Sequence, residues 1–218
     1  MDIKVNEHTV VVFDLDDTLY NELDFLKSAY TEIAQSLEPK NWIYLYIQMF
    51  SMYRSNSNVF KFLSNTYAKD IQSLIEIYRN HSPDITPFEG VLDVFKAIKD
   101  NNGIIGIITD GRSITQRAKL KNLGLLSYID KIVISEEQGS EKPSLDNFKA
   151  IENAFPASEY FYIADNLKKD FIAPNVLNWR SVGVIDNGKN IHHSAFKFLN
   201  PANMPLDFIF NFKELSII

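Results

Sequence analysis

Three carboxylates, Asp14, Asp16 and Asp17, follow an unbroken apolar run in "VVVFDLDDTLYN", residues 10–21. A run of that kind reads as a strand buried on both faces, so it carries like charges to a fixed point, where something positive must offset them. Other runs end in chemistry-bearing residues too: Thr109-Asp110-Gly111-Arg112 after "IIGIIT", and Asp165-Asn166-Leu167-Lys168-Lys169-Asp170 after "YFYIA", while Lys142 precedes a helical segment. Asp14, Asp165 and Asp170 offer hard oxygen ligands, and magnesium is held by one or two carboxylates together with water and substrate phosphate. A phosphoryl group brought alongside needs fixed donors and positive charge. Thr109, Lys142, the backbone amides after Asp14 and, less securely, Arg112 could supply them. A carboxylate at Asp14 can attack phosphorus to give an acyl phosphate. Asp16, two positions on, is near enough to protonate the leaving oxygen and later to activate water.

In open α/β sheets ligands bind beyond the carboxyl ends of the strands, which is where these residues stand. Short β-branched or aromatic runs at 10–14, 104–109, 131–135, 160–164 and 181–185 alternate with segments of helical period at 89–101, 113–123, 144–154 and 168–178. The alternation predicts an α/β fold: a Rossmann-like three-layer core with a central parallel sheet. Ser113 and Gln116 match an S-x-x-Q capping box, Gly124 suits a helix C-terminus, and Pro143 suits the first turn of the next helix. Residues 21–88 break the pattern, with helical stretches at 22–37, 40–52 and 67–80 and no clear strand. Rich in aromatics such as Trp42, Tyr44, Tyr46, Phe50 and Tyr53, this block reads as an inserted all-helical domain with its own core. The predicted domains are therefore a core of residues 1–20 and 89–218 and an insertion of residues 21–88.

Composition excludes several alternatives. A formal charge of −6 gives no broad positive field, which argues against nucleic acid as a main partner. With no cysteine there is no disulfide framework or thiolate metal site, and a reducing compartment, the cytoplasm, is the simplest expectation. No apolar run approaches the ~18 residues that span a bilayer, so no membrane association is expected. Asp17 reads as loop structure and Lys168-Lys169 as a solvated helix face. His192-His193 has no evident third ligand and is given no role. The oligomeric state stays open between monomer and homodimer.

Taken in order, "DLDDTLY", the strand ending in Thr109, Lys142 before a helix, and "ADNLKKD" resemble the four motifs of the haloacid dehalogenase superfamily, and the likeness covers nearly the whole chain. The helical block after the first motif resembles that superfamily's inserted cap, which would close over the site and select the substrate. The resemblance implies Asp14 as nucleophile and magnesium ligand, and Asp16 as general acid/base that also lends a backbone carbonyl to the metal. Thr18 would support the loop. Thr109, Lys142 and the Asp110-Gly111-Arg112 segment would bind phosphate, while Asp165 and Asp170 would complete the metal shell. Two positions depart from the common pattern: Ala164 stands where glycine is frequent, and Asp110 where asparagine is frequent. Asp16 is absent from the carbon–halogen-cleaving members, so its presence favours phosphate esters. The expected activity is magnesium-dependent hydrolysis of a small phosphorylated metabolite. A phosphomutase and a non-catalytic phosphate- or metal-binding regulatory module are the rivals.

Overall fold

The computed structural model describes residues 1–156 and 159–218. Along the chain lie β1 (Asp2–Ile3), β2 (Thr9–Phe13), α1 (Glu22–Leu37), α2 (Trp42–Arg54), α3 (Val59–Tyr67), α4 (Ile71–Asn80), α5 (Val91–Asp100), β3 (Ile104–Thr109), α6 (Ser113–Asn122), β4 (Lys131–Ile134), α7 (Ser135–Gln138), α8 (Leu145–Ala154), β5 (Glu159–Ala164), α9 (Ile172–Val176), β6 (Arg180–Val184), β7 (Asp207–Ile209) and β8 (Ser216–Ile217). They form two compact units: Met1–Glu22 with Thr86–Ile218, and Leu23–Ile85.

The larger unit is built on a six-stranded, all-parallel sheet of order β4-β3-β2-β5-β6-β7. Strands β2, β3 and β5 are mostly buried apolar residues because helices cover both faces. Alternate side chains divide between those faces. Val10 and Val12 join Ile108, Tyr162, Phe148 and Ile151 on one side. Phe13 points to the other, 4.7 Å ring to ring from Phe95 of α5 and 6.3 Å from Phe212. Fully burying a side chain of this size contributes roughly 1.5–3 kcal/mol. The order reverses at β2, whose neighbours are β3 on one side and β5 on the other. A crevice must open at the carboxyl ends of these strands. Asp14 stands there, its N–H still donating to Ile163 O at 3.0 Å.

The helical unit has a separate core of Leu26, Tyr30, Ile33, Leu45, Met49, Leu63 and Leu74. Tyr78 packs edge-on against Tyr30 and Phe60 within it.

Four local expectations are corrected. Ser113 and Gln116 form no capping box: Arg112 is the N-cap residue, and the Gln116 side chain is committed elsewhere. Pro143 precedes Ser144, whose side chain caps α8, and follows a cis peptide bond from Lys142. The helix expected at 67–80 starts later, as α4 at Ile71, because Ala68 turns left-handed (φ 51°) at the end of α3 and Asp70 caps α4 by accepting from Ser73 N–H at 3.0 Å. That expected at 168–178 shrinks to α9, since Asp170 folds back to accept from Asn166 N–H at 3.0 Å and holds 166–170 as a turn. Gly124 does close α6: its N–H donates to Lys121 O and Leu125 N–H to Leu120 O, the Schellman pairing, with Gly124 at φ +71°.

Candidate active site

The ends of β2, β3 and β5 bring Asp14, Asp16, Thr109, Asp110 and Asp165 around one cavity of about 180 Å³, with Glu22, Asn166, Lys169 and His192 completing its lining. Behind Asp14, Lys142 is fully buried. Its Nζ lies 2.5 Å from Asp14 Oδ1 and 2.7 Å from Asp170 Oδ1, and donates to Tyr162 OH at 3.2 Å. The contact with Asp170 is an ion pair without hydrogen-bond alignment. Lys142 arrives from outside the sheet because its own N–H donates to Asp110 Oδ1 at 3.0 Å, fixing the segment before α8 over the strand ends.

Asp14, Asp165 and Asp170 each place a carboxylate oxygen within 4.8 Å of the others. One lysine does not balance three such groups. Burial pushes Asp14 up to about 7, against the opposing pull of Lys142. Burial, together with the charges of Asp170 and Asp14, holds Asp165 well above the usual carboxylate range. Thr18 Oγ1 donates to Asp165 Oδ1 at 3.1 Å and Asn190 Nδ2 to Oδ2 at 2.9 Å, which orients the group without neutralising it. An all-oxygen, charge-deficient donor set of this kind fits a hard divalent cation.

Asp16 is treated differently by its surroundings. Burial alone would raise it, but Lys119 Nζ at 2.6 Å, Tyr20 OH and Gln116 Nε2 at 2.9 Å together hold its carboxyl below the usual range. Gln116 Nε2 also donates to Thr109 Oγ1 at 2.6 Å, so one amide links the ends of β2 and β3. Lys119 and Gln116 were not foreseen. They are the seventh and fourth residues of a helix that otherwise reads as polar surface, and only the capping-like position of Gln116 marked it.

The remaining sequence candidates divide. Thr109 is buried in the cavity wall. Asp110 is there too, but its side chain pairs with Lys169 Nζ at 2.5 Å, which makes it a brace for two lysines. Lys169 is thus a cavity residue, contrary to the solvated face expected of it, while Lys168 is exposed. Gly111 and Arg112 line a separate depression beside Ser135 and Glu136, and Gly111 N–H donates to Ser135 Oγ at 2.9 Å. Neither lines the cavity around Asp14. Asp17 adopts φ +58° and accepts from Glu22 N–H at 2.8 Å and Ile191 N–H at 2.7 Å, a loop-shaping role.

A parallel sheet with a nucleophile-capable carboxylate, a buried lysine and a paired acidic cluster at its carboxyl edge defines a class of hydrolase. The family model for haloacid dehalogenase-like hydrolases matches residues 11–184, and the chain belongs to that family. It is 27% identical over 194 residues to a glyceraldehyde 3-phosphate phosphatase of Methanocaldococcus jannaschii, covering 80% of this chain and 84% of that protein. Over 124 residues it is 35% identical to the pyrimidine 5'-nucleotidase YjjG of Escherichia coli, covering 55% and 52%. Among solved structures, the HAD-hydrolase YfnB of Bacillus subtilis bound to magnesium superposes with a TM-score of 0.63 at 18% identity, over 96% of this chain and 97% of that one. No helix of the described residues is long and apolar enough to cross a membrane.

Proposed function

We propose that this hydrolase is a magnesium-dependent phosphatase acting on a small phosphomonoester through an aspartyl-phosphate on Asp14. The observation that carries the proposal is the contact of Asp14 with Lys142 inside a three-carboxylate cluster, with a second, separately held carboxylate two residues on. Asp14, Asp165 and Asp170, with the backbone carbonyl of Asp16, would hold the metal. When bound, the ion supplies positive charge that lets the carboxylates remain ionised and withdraws charge from the phosphoryl oxygens.

Lys142 and Thr109 bind and orient the phosphoryl group. An Asp14 oxygen attacks phosphorus as the bond to the ester oxygen breaks, and protonated Asp16 gives its proton to the leaving alkoxide. In the second half Asp16, now a carboxylate, takes a proton from water as the water oxygen attacks phosphorus and releases Asp14. The arrangement around Asp16 corresponds to this second, base-form state, with Lys119, Tyr20 and Gln116 aiming the carboxylate. The helical unit 23–85 is proposed to act as the cap that selects the substrate.

Phosphate release from a panel of phosphorylated sugars, nucleotides and acids tests the reading. Activity should require magnesium and vanish with a chelator; a rate indifferent to both would remove the metal assignment. Mass spectrometry of the products separates the phosphomutase alternative, which would yield an isomerised ester in place of free phosphate.

Lys119→Met leaves Asp16 without its charged partner while keeping the stem's bulk. We expect kcat to fall roughly 10- to 100-fold, with KM changed less than about threefold, because aim is lost and the phosphate contacts remain. An unchanged kcat would show that Lys119 only fills space.

A further inference from the structure

Beside the reactive cavity, and sharing Asp110, Asp165, Asn166, Lys169 and His192 with it, lies a larger one of about 700 Å³ running along residues 191–198. That volume is in the range of sites that enclose whole organic ligands, and it exceeds what one phosphoryl group needs. Every part of it belongs to the sheet-bearing unit. Its wall is partly apolar, through Pro143, Leu167, Ile191, Ala195 and Phe198.

The charged groups on the wall sort by their partners. Lys142 and Lys169 are engaged by carboxylates, Asp165 is held by Thr18 and Asn190, and Asp110 by Lys169. Lys168 and Lys197 line the same cavity, and neither forms an ion pair among the described residues. Lys197 Nζ lies over the ring of Phe196, 5.7 Å from its centroid. His192 and His193 stand beside them, and Glu141 is the one further acid, on the Pro143 side. The backbone that carries Lys168 is tied to the core: buried Asn203 donates from Nδ2 to Leu167 O at 2.6 Å and to Lys168 O at 3.2 Å. In a chain of net charge −6, two uncommitted lysines on a preformed cavity that opens into a phosphate-handling site are a local anion-binding device.

We infer that this cavity receives the alcohol portion of the ester, and that this portion carries a second anionic group, a carboxylate or a phosphate, met by Lys168 and Lys197. The inference rests on the phosphatase reading of the neighbouring site. It places part of the substrate choice on the loops after β5 and β6.

Matched esters test it: the monophosphate of hexane-1,6-diol against 6-phosphonooxyhexanoate and hexane-1,6-diol bisphosphate, each with its three-carbon homologue. Either carboxylate or bisphosphate should exceed the neutral ester at least tenfold in kcat/KM, after halving for the two equivalent ends of the bisphosphate, and the better of the two names the second group. In the Lys168→Ala/Lys197→Ala protein the KM of that ester should rise about tenfold with kcat within about twofold, and the preference should fade with added salt. Turnover of the neutral ester with no preference at either length, or a preference that survives the double substitution, overturns the subsite and leaves the phosphatase reading standing. Calorimetry on Asp14→Asn protein covers the reverse case. If it binds a second-anion ester at least tenfold more tightly than the neutral one while wild type turns over neither, the subsite stands and the phosphatase reading falls.

Discussion

Asp14→Asn is expected to reduce phosphate release by on the order of 10⁴-fold or more while leaving the protein folded. Uncatalysed phosphomonoester hydrolysis is so slow that an enzyme without its nucleophile has little residual rate to fall back on. The stability side follows from burial. With its pKa raised from 3.8 to about 7, the Asp14 carboxyl adds stability below about pH 4, and that contribution is lost as pH rises through about 7. At pH 8 the ionised group is therefore a net cost to the metal-free fold, and an uncharged amide of the same shape relieves it. Metal-free Asp14→Asn should melt at or above the wild-type temperature at pH 8. Near wild-type turnover in this variant would end the covalent mechanism, and a large drop in melting temperature would end the account of Asp14 as strained by its surroundings.

Lys142→Met should do the opposite to stability. It strips the ion-pair partner that Asp14 and Asp170 share, both nearly inaccessible to solvent, and leaves two buried carboxylates facing each other. Removing one partner of such a group costs about 3–5 kcal/mol. Urea unfolding of the metal-free protein measures it. Magnesium should restore part of the loss, since the cation takes over some of the missing charge, and a second substitution, Asp14→Asn, should restore part of it without metal. Turnover should be lost in either background. If Lys142→Met were as stable as wild type without metal, the ion triad would carry no structural weight.

The parallel sheet was legible because its strands are buried on both faces and so read as continuous apolar runs, with residues 104–109 matching β3 to the residue. Asp14, Thr109 and Asp165 stand at or just past the ends of such strands, whereas Lys142 and Asp170 lie in the connections before α8 and α9 and were singled out by their place in the ordered series of motifs. Lys119 and Gln116 were not legible. They reach Asp16 from the buried side of a helix whose period gives little sign of which face is inward, and across 103 and 100 residues of chain. Lys169 was misread because a lysine beside another lysine looks solvated until Asp110, 59 residues away, is seen to claim it. Gly111 and Arg112 come just after Asp110, yet the chain turns at Gly111 (φ +135°) and they line a different depression. Strands β1, β7 and β8 are two or three residues long and leave no periodic trace at all.

Phe88 N–H donates to Leu19 O at 2.8 Å, so the chain comes back to the sheet-bearing unit beside the point where it left. Topologically, everything between is a single surface loop that happens to fold. Halving or doubling such a loop changes its closure cost by only about 0.6 kcal/mol. The sheet can accordingly host quite different inserts at this doorway, or a short turn in their place, without altering how Asp14 is presented. The insert is in this sense an exchangeable cartridge, while Asp14 and the groups around it stay with the frame.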